Sequence, residues 1–176
     1  MKHVQSGLAI QPKEKLGVFH KSLPVLHYLS DIFQQEVANE HFWSDQDLRS
    51  EACRVLKGLK VMIHSNTKSN GKIKVIKDIT RGSAEVETFT LANGTKTNVA
   101  DYFHKRSTNR QGLQYPRIPC MTAGVRTDSN GQAYEERFPL EMCEIIPKQS
   151  VKGKTLDITK LLKKNKEFWN PLPSAP

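Results

Sequence analysis

The sequence lacks long hydrophobic runs, since no stretch approaches the roughly 18 uncharged apolar residues that suggest a membrane span. The residues after Met1 show no apolar segment followed by a small-residue cleavage site, so no secretory signal is predicted. Cysteine is also scarce. Cys53, Cys120 and Cys143 are odd in number and widely spaced, which favours buried, reduced thiols over a disulfide framework or a zinc cluster. These absences predict an intracellular protein, cytoplasmic or nuclear, with no membrane partner, metal or cofactor.

The length of the chain, 176 residues, is typical of one domain with linkers. Hydrophobic residues make up 37% of it and charged residues 26%, so a core of modest size is expected. We predict an N-terminal linker over residues 1–21, a domain over 22–149, and a basic C-terminal linker over 150–176. In the last segment, Asp157 is predicted to cap a short helix.

Sequence motifs for catalysis are absent. Asp101, His104 and Cys120 are the residue types of a thiol hydrolase, but no nucleophile motif surrounds them. There is no His-Glu-x-x-His and no phosphate-cradling glycine loop with a Lys-Ser or Lys-Thr. Glu135 and Glu136 are predicted to form the solvated edge of a hairpin rather than a catalytic pair. No enzyme activity is expected.

Positive charge is concentrated in the middle of the chain. The whole sequence has 27 basic and 18 acidic residues, a net charge of +9, and residues 54–117 alone contain thirteen basic and four acidic residues. Such a region is typical of proteins that bind nucleic acid or an anionic membrane surface, because binding releases counterions. The simpler alternative is that the charge serves only solubility.

Aromatic residues are interleaved with this charge, which favours nucleic acid as the partner. Phe89, Tyr102, Phe103 and Tyr115 all lie within the basic segment, and bases stack on such rings with about 1–3 kcal/mol per base. The alternative is that rings fill a small core, as we expect for Phe103 and Tyr115. His64, on the polar face of a predicted strand, is either merely exposed or a hydrogen-bond donor to a phosphate.

Two helices are predicted in the first third of the chain. Apolar residues recur at helical spacing from Val25 to Phe33, with Pro24 in the first turn. A capping box at 44–47, Ser-Asp-Gln-Asp, opens a second helix that ends at Gly58.

The apolar period then changes to two, which indicates β-strands. Six side chains are predicted to face inward on the first two strands: Leu59, Val61, Ile63, Ile73, Val75 and Ile79. Turns at 69–71, 92–94 and 128–131 separate further short strands at 88–91, 117–121 and 137–140, and a short helix is predicted at 99–103. Short strands at close spacing predict a mostly β (α+β) domain built on a small barrel.

Taken in order, these segments resemble the PAZ domain of Argonaute proteins. The resemblance rests on the two helices and on five ordered motifs: LKGLKV at 56–61, ITR at 79–81 followed by TFTL at 88–91, NVADYF at 98–103, LQYPRIPC at 113–120, and FPLEMCEIIP at 138–147. The last two match the family's Tyr-Pro-x-Leu-Pro-Cys and Leu-Pro-Leu-Glu-x-Cys-x-Ile segments.

This resemblance implies an OB-like small β-barrel with an inserted lobe made of a β-hairpin and a helix. It implies that the 3′ end of a single-stranded small RNA is held in the cleft between barrel and lobe, without cleavage. The remaining domains of an Argonaute protein would be further partners. By position, Phe89 would stack on the terminal nucleotide and Phe138 would lie near its sugar. His64 and Tyr102 would hydrogen-bond to the last phosphate.

Two positions depart from the family pattern. Many members have an aromatic residue where this chain has Ile73, and a Lys-Tyr pair where it has Arg106-Ser107. Two phosphate donors are therefore missing, and we expect nearby cations to replace their charge but not their hydroxyl geometry. These candidate RNA-binding cations are Lys72, Lys74, Lys105 and Arg106.

Two alternatives to this interpretation stay open. A Dicer-type PAZ domain would bind duplex ends, although such domains usually have an extra basic insertion that is not found in this sequence. An OB-like protein-interaction domain with a decayed RNA pocket is the other alternative, and Ile73 and Ser107 are its best support. Direct measurement of RNA binding discriminates among the three.

Overall fold

The computed structural model describes residues 22–65, 71–107, 112–147 and 149. These residues form a mixed α+β structure rich in antiparallel strands, which confirms the predicted fold class. The two predicted linkers, the helix capped by Asp157 and the first two residues of the turn at 69–71 lie outside the described residues.

Four α-helices, one 3-10 helix and nine strands are present in the described part of the chain. The helices are α1 (Val25–Phe33), α2 (Glu40–Ser44), α3 (Gln46–Leu56) and α4 (Val99–Arg106), and the 3-10 helix is Leu140–Met142. The strands are β1 (Leu23–Pro24), β2 (Lys60–Ile63), β3 (Ile73–Val75), β4 (Asp78–Ser83), β5 (Thr88–Thr90), β6 (Lys96–Asn98), β7 (Pro119–Thr127), β8 (Ala133–Pro139) and β9 (Cys143–Ile145).

Helix α1 packs against β9 and the 3-10 helix. Val25, Leu29 and Phe33 recur every fourth residue and are buried, as the helical period predicted. The placement of Pro24 in the first turn is wrong, because Pro24 pairs with Glu144 of β9 and therefore has an extended backbone at the N-cap of α1.

Helix α3 is present as predicted, but its cap is Asp45. The Asp45 carboxylate accepts hydrogen bonds from the backbone N–H groups of Asp47 and Leu48. The prediction of a capping box starting at Ser44 is wrong because Ser44 is the last residue of the short helix α2, where its hydroxyl donates to the Glu40 carbonyl. Helix α2 itself was not predicted.

We expect Asp45→Ala to lower the free energy of unfolding by about 0.5–2 kcal/mol, because it leaves two N–H groups of α3 without their acceptor. Urea unfolding of both proteins measures the difference. Asp47→Ala is the matched control: it removes a carboxylate from the same helical turn but none of the capping bonds. Equal losses of unfolding free energy in the two variants would show that the capping hydrogen bonds add nothing to the interaction of a carboxylate with the helix dipole.

The first sheet has four antiparallel strands in the order β1-β9-β2-β3. Val61 and Ile63 of β2 are fully buried, as predicted. On β3 the predicted side-chain direction is reversed: Lys74 is buried, whereas Ile73 is 56% exposed. The reason is the register, in which Lys74 stands opposite Val61, and residues directly opposite each other share a face of the sheet.

The second sheet has three antiparallel strands in the order β4-β7-β8. Ile79 belongs to β4 and not to the preceding strand, so the prediction of one strand from Ile73 to Ile79 is wrong. The chain changes sheets between Ile76 and Lys77. The N–H group of Ile76 donates to the carbonyl of Leu59, just before β2, and that of Lys77 donates to the carbonyl of Thr122 on β7.

Strands β7 and β8 have nine and seven residues and are longer than the short strands predicted. The tip predicted at 128–131 is confirmed: the Asp128 N–H donates to the Gln132 carbonyl, and Gly131 has a φ of 77°, which glycine adopts without strain. Within the described residues, the ladders form three separate sheets and do not close into one continuous ring of hydrogen bonds.

The inserted lobe that the resemblance implied corresponds to the β5–β6 hairpin and helix α4, which lie between β4 and β7 in the chain. Phe89 pairs with Thr97 across this two-stranded sheet. The Asn98 side chain accepts a hydrogen bond from the Asp101 N–H and caps α4. Strand β6 was not predicted because its three residues, Lys-Thr-Asn, show no apolar period.

One core connects helices and sheets. Its largest fully buried side chains come from α1, α3 and the strands and loops around them: Leu29, Leu56, Ile63, Ile76, Ile118, Met121, Leu140 and Ile145. Phe103 belongs to this core and Tyr115 packs against it, as expected from the sequence. None of the described helices is long and apolar enough to cross a bilayer.

Candidate nucleic-acid interface

A cleft of about 140 Å³ lies between the inserted lobe and strand β8. The lobe contributes Phe89 from β5 and both Tyr102 and Phe103 from α4. Strand β8 contributes five consecutive residues, from Tyr134 to Phe138. The cleft therefore joins two segments that are distant in sequence, and it lies between strand β8 of the second sheet and the lobe.

Four rings form a continuous aromatic row through this cleft. The ring centroids are 5.1 Å apart from Phe89 to Tyr102, 5.3 Å from Tyr102 to Phe103 and 6.4 Å from Phe103 to Phe138. Phe103 and Phe138 are buried, whereas Phe89 and Tyr102 are only half-buried. The two inner rings anchor the row, and the two outer rings keep surface that a ligand can contact.

Arg106 adds positive charge next to the outer end of the row. Its guanidinium carbon lies 4.4 Å from the centroid of the Tyr102 ring, one helical turn earlier on α4. A guanidinium at this distance over a tyrosine is a favourable cation–π contact. The contact orients Arg106 toward the residue that was predicted to hydrogen-bond to the last phosphate.

An ion-pair cluster of Lys74, Glu136 and Arg126 lies beside the cleft. The Lys74 Nζ is 2.9 and 2.7 Å from the two carboxylate oxygens of Glu136, and the Arg126 Nε is 3.1 Å from one of them. The side chains of Lys74 and Glu136 are only 9% and 15% exposed. The prediction of a solvated Glu136 is therefore wrong, and the charge of Lys74 is already balanced by a carboxylate.

Arg137 links strand β8 to the lobe. Its Nη1 donates to the Thr88 carbonyl at 3.1 Å and lies 3.5 Å from the Glu87 carboxylate, while its Nη2 lies 3.4 Å from Glu135. Glu136, the preceding residue, binds in the opposite direction, to Lys74 of the first sheet. Consecutive side chains of β8 thus hold this strand between the sheet and the lobe, and so define the width of the cleft.

The remaining predicted RNA contacts are outside the lining of the cleft. The Nε2 of His64 is 2.6 Å from a Glu144 oxygen. Glu144 also accepts a hydrogen bond from the Ser22 hydroxyl, and this bond, more than the one from His64, holds the pKa of Glu144 below its usual value. Lys72 and Lys105 are exposed, just before β3 and near the end of α4. Their contacts with RNA, and that of His64, stay predictions.

Sequence reasoning missed four residues of β8 as residues of the cleft: Tyr134, Glu135, Glu136 and Arg137. The signal for two of them was present in the period of β8, because Tyr134, Glu136 and Phe138 alternate and share one face of the strand. Arg137 points to the other face, and its contact with the lobe depends on a fold of the chain that no local pattern indicates.

The cysteine chemistry that was considered from the sequence has no support in the structure. Cys120 is fully buried, and this burial raises the pKa of its thiol to about 12, so it is not a nucleophile at neutral pH. The carboxylate of Asp101 accepts a hydrogen bond from the Asn98 amide. Among the described residues, no three His, Cys, Asp or Glu side chains are grouped to hold a metal ion.

Comparison with known proteins gives consistent results. A family model described as the PAZ domain matches residues 26–163. The chain is 28% identical over 154 residues to protein argonaute 18 of Oryza sativa subsp. japonica, a match that covers 85% of this chain and 13% of the rice protein. This chain therefore spans a small part of the length of that relative.

Two solved structures share the fold. One is a crystal structure of a Drosophila Ago PAZ domain in complex with 3′-end 2′-O-methylated RNA, with 23% identity, a TM-score of 0.56, and coverage of 72% of this chain and 99% of that chain. The other is the Drosophila Argonaute 2 PAZ domain, described for 3′-end recognition of nucleic acids, with 23% identity, a TM-score of 0.54, and coverage of 71% and 94%.

Proposed function

Because the chain belongs to the PAZ domain family, we propose that its cleft holds the 3′ end of a single-stranded small RNA, as one domain of an Argonaute-type RNA-silencing protein. The domain binds and does not cleave. The whole protein is proposed to act in the cytoplasm or the nucleus.

The observation that carries this proposal is the half-buried Phe89 at the outer end of the aromatic row. A half-buried ring held by an edge contact with Tyr102 at 5.1 Å can stack on a base without demanding a particular sequence. Arg106 places a cation beside the same pair of rings, where a backbone phosphate would follow the stacked base. Phe138 forms the apolar wall of the cleft, next to the proposed position of the terminal sugar.

An Argonaute context fits better than a Dicer-type one because the curated relative is an Argonaute protein. The match spans only 13% of that relative, so the other domains of the same polypeptide are the proposed protein partners. The intact aromatic row argues against a decayed pocket, although Ile73 is exposed and Lys74 is paired with Glu136.

We expect a short single-stranded RNA with a free 3′ hydroxyl to bind more tightly than the same RNA with a 3′ phosphate or a bulky 3′ adduct. A 3′ phosphate brings about −1.5 to −2 charges into a cleft whose lining includes Glu135 and Glu136, and a bulky adduct adds volume to the terminal nucleotide proposed to lie between the lobe and β8. Fluorescence anisotropy with RNA labelled at the 5′ end measures the three affinities.

The control is the same set of RNAs with a different base sequence, for which the order of affinities should not change. Equal affinity for free and blocked ends would describe a general single-strand groove, and the role in 3′-end binding would be refuted.

A further inference from the structure

A second and larger cavity, of about 600 Å³, lies on the side of the domain where α3 meets β4. This volume is within the range of about 300–1,000 Å³ that is common for ligand pockets. Neither the aromatic row nor any residue of the cleft contributes to it. The residues that line it include six from α3 and β4: Arg49, Ser50, Cys53, Asp78, Ile79 and Arg81.

Two arginines from different elements line this cavity. Arg49 of α3 is half-buried, and its Nη2 donates to the Thr80 carbonyl at 2.8 Å, which fixes the side chain along the wall. Arg81 of β4 is exposed, and within the described residues no carboxylate pairs with it. An arginine side chain presents several N–H donors to an oxyanion, and Arg49 is held along the wall while Arg81 has no carboxylate partner within the described residues.

The carboxylate in the cavity, that of Asp78, already accepts two hydrogen bonds from the protein. Asp78 accepts hydrogen bonds from the Cys53 thiol at 2.9 Å and from the Ile79 N–H at 2.8 Å, and the thiol bond is the main reason that the pKa of Asp78 is lowered. Burial, and then the same hydrogen bond, raise the pKa of Cys53, so the thiol stays a donor. Two guanidinium charges against one carboxylate leave the cavity positive, and Lys57 adds positive charge close to Asp78.

The cavity and the cleft lie at the two ends of one buried row of paired residues across the second sheet. Ile79 pairs with Met121, and Met121 pairs with Phe138. Ile79 lines the cavity and Phe138 lines the cleft, so they are two strand spacings apart, about 9.5 Å. Domains of the barrel type cover about 4–16 nucleotides of a single strand, and a strand of that length reaches well beyond the cleft.

From these observations we propose that the cavity is a second phosphate-binding site, in which Arg49 and Arg81 hold the backbone of the RNA whose 3′ end lies in the cleft. This inference rests on the proposed function for the direction of the strand, but not for the chemistry of the cavity. The site binds phosphate groups and does not distinguish one base from another.

Binding of RNAs of two lengths tests the proposal. For the Arg81→Gln protein, the affinity for a strand of about 12 nucleotides should fall about fivefold or more, and its log–log salt slope should decrease by about 0.7 for each phosphate that the protein no longer neutralises. The affinity for a strand of about 2 nucleotides, which is too short to reach from the cleft to the cavity, should change less than about twofold. Adding Arg49→Gln should weaken binding of the long strand further.

Lys60→Gln is the matched control, because it removes one exposed charge from β2, outside both sites, and should not discriminate between the strand lengths. Arg81 is exposed, so its variant keeps the fold even if Arg49→Gln destabilises α3, which circular dichroism checks. Unchanged affinity of Arg81→Gln for the long strand overturns the proposal and leaves an acidic protein partner as the alternative. Equal binding of free and blocked 3′ ends by the wild type would instead refute the proposed function while the length dependence still tests the cavity.

Discussion

Glu136→Gln is expected to lower the free energy of unfolding by about 3–5 kcal/mol, because it leaves the buried ammonium of Lys74 without a charged partner. Lys74 is 9% exposed, and its Nζ lies 2.7 and 2.9 Å from the two carboxylate oxygens of Glu136. The pair also connects the first sheet to β8, so its removal weakens the packing between two sheets. Chemical denaturation of the purified domain measures the effect.

Glu135→Gln provides the matched control for this prediction. The neighbouring glutamate is 40% exposed and lies 3.4 Å from Arg137, and a solvated pair of this kind contributes about 0.2–1 kcal/mol. Lys74→Met should be milder than Glu136→Gln, because the remaining carboxylate keeps Arg126 at 3.1 Å. Similar small losses of unfolding free energy in all three variants would mean that water solvates the Lys74 ammonium. The ion-pair cluster would then not stabilise the contact between the first sheet and β8.

Phe89→Ala is expected to weaken RNA binding by about 1–3 kcal/mol, which is about 5- to 150-fold in Kd. The ring is half-buried, packs against the edge of the core and makes an edge contact with Tyr102, so part of its surface is left for contact with a base. Fluorescence anisotropy with a short single-stranded RNA measures the affinity, and thermal unfolding measures the stability of the same protein.

Phe103→Ala should instead lower the stability of the domain more than its affinity for RNA. This ring is 4% exposed and belongs to the core, so its truncation should cost about 3–5 kcal/mol of stability. If Phe89→Ala loses stability on the same scale while the remaining folded protein binds RNA normally, Phe89 is a core residue and the stacking role is refuted.

The sequence predicted the elements whose pattern is local. The apolar period of α1 and the alternation of β2 each extend over enough residues to indicate both the element and its buried side. The hairpin tip at 128–131 was recognised from turn residues whose backbone preference is intrinsic. These predictions needed no knowledge of what packs against the element.

Predictions failed where an element is short or where its register or its end depends on a residue that is distant in the sequence. Three residues of β3 contain two possible faces, and the register with β2 turned Lys74 inward and Ile73 outward. The cap of α3 moved from Ser44 to Asp45 because a separate short helix ends at Ser44. In both cases the local pattern was compatible with two structures, and contacts made elsewhere chose between them.

The same division applies to the candidate site. The residue types and their order by themselves determined the family, the basic and aromatic character of the middle of the chain, and Phe89, Tyr102, Arg106 and Phe138 as candidates. Only the tertiary structure decided that β8 forms the facing wall of the cleft and that Arg49 and Arg81 line the same second cavity. The physical reason is that a side chain's chemistry is a property of its residue, whereas the neighbour that neutralises, stacks on or orients it is brought by strand pairing over long sequence distances.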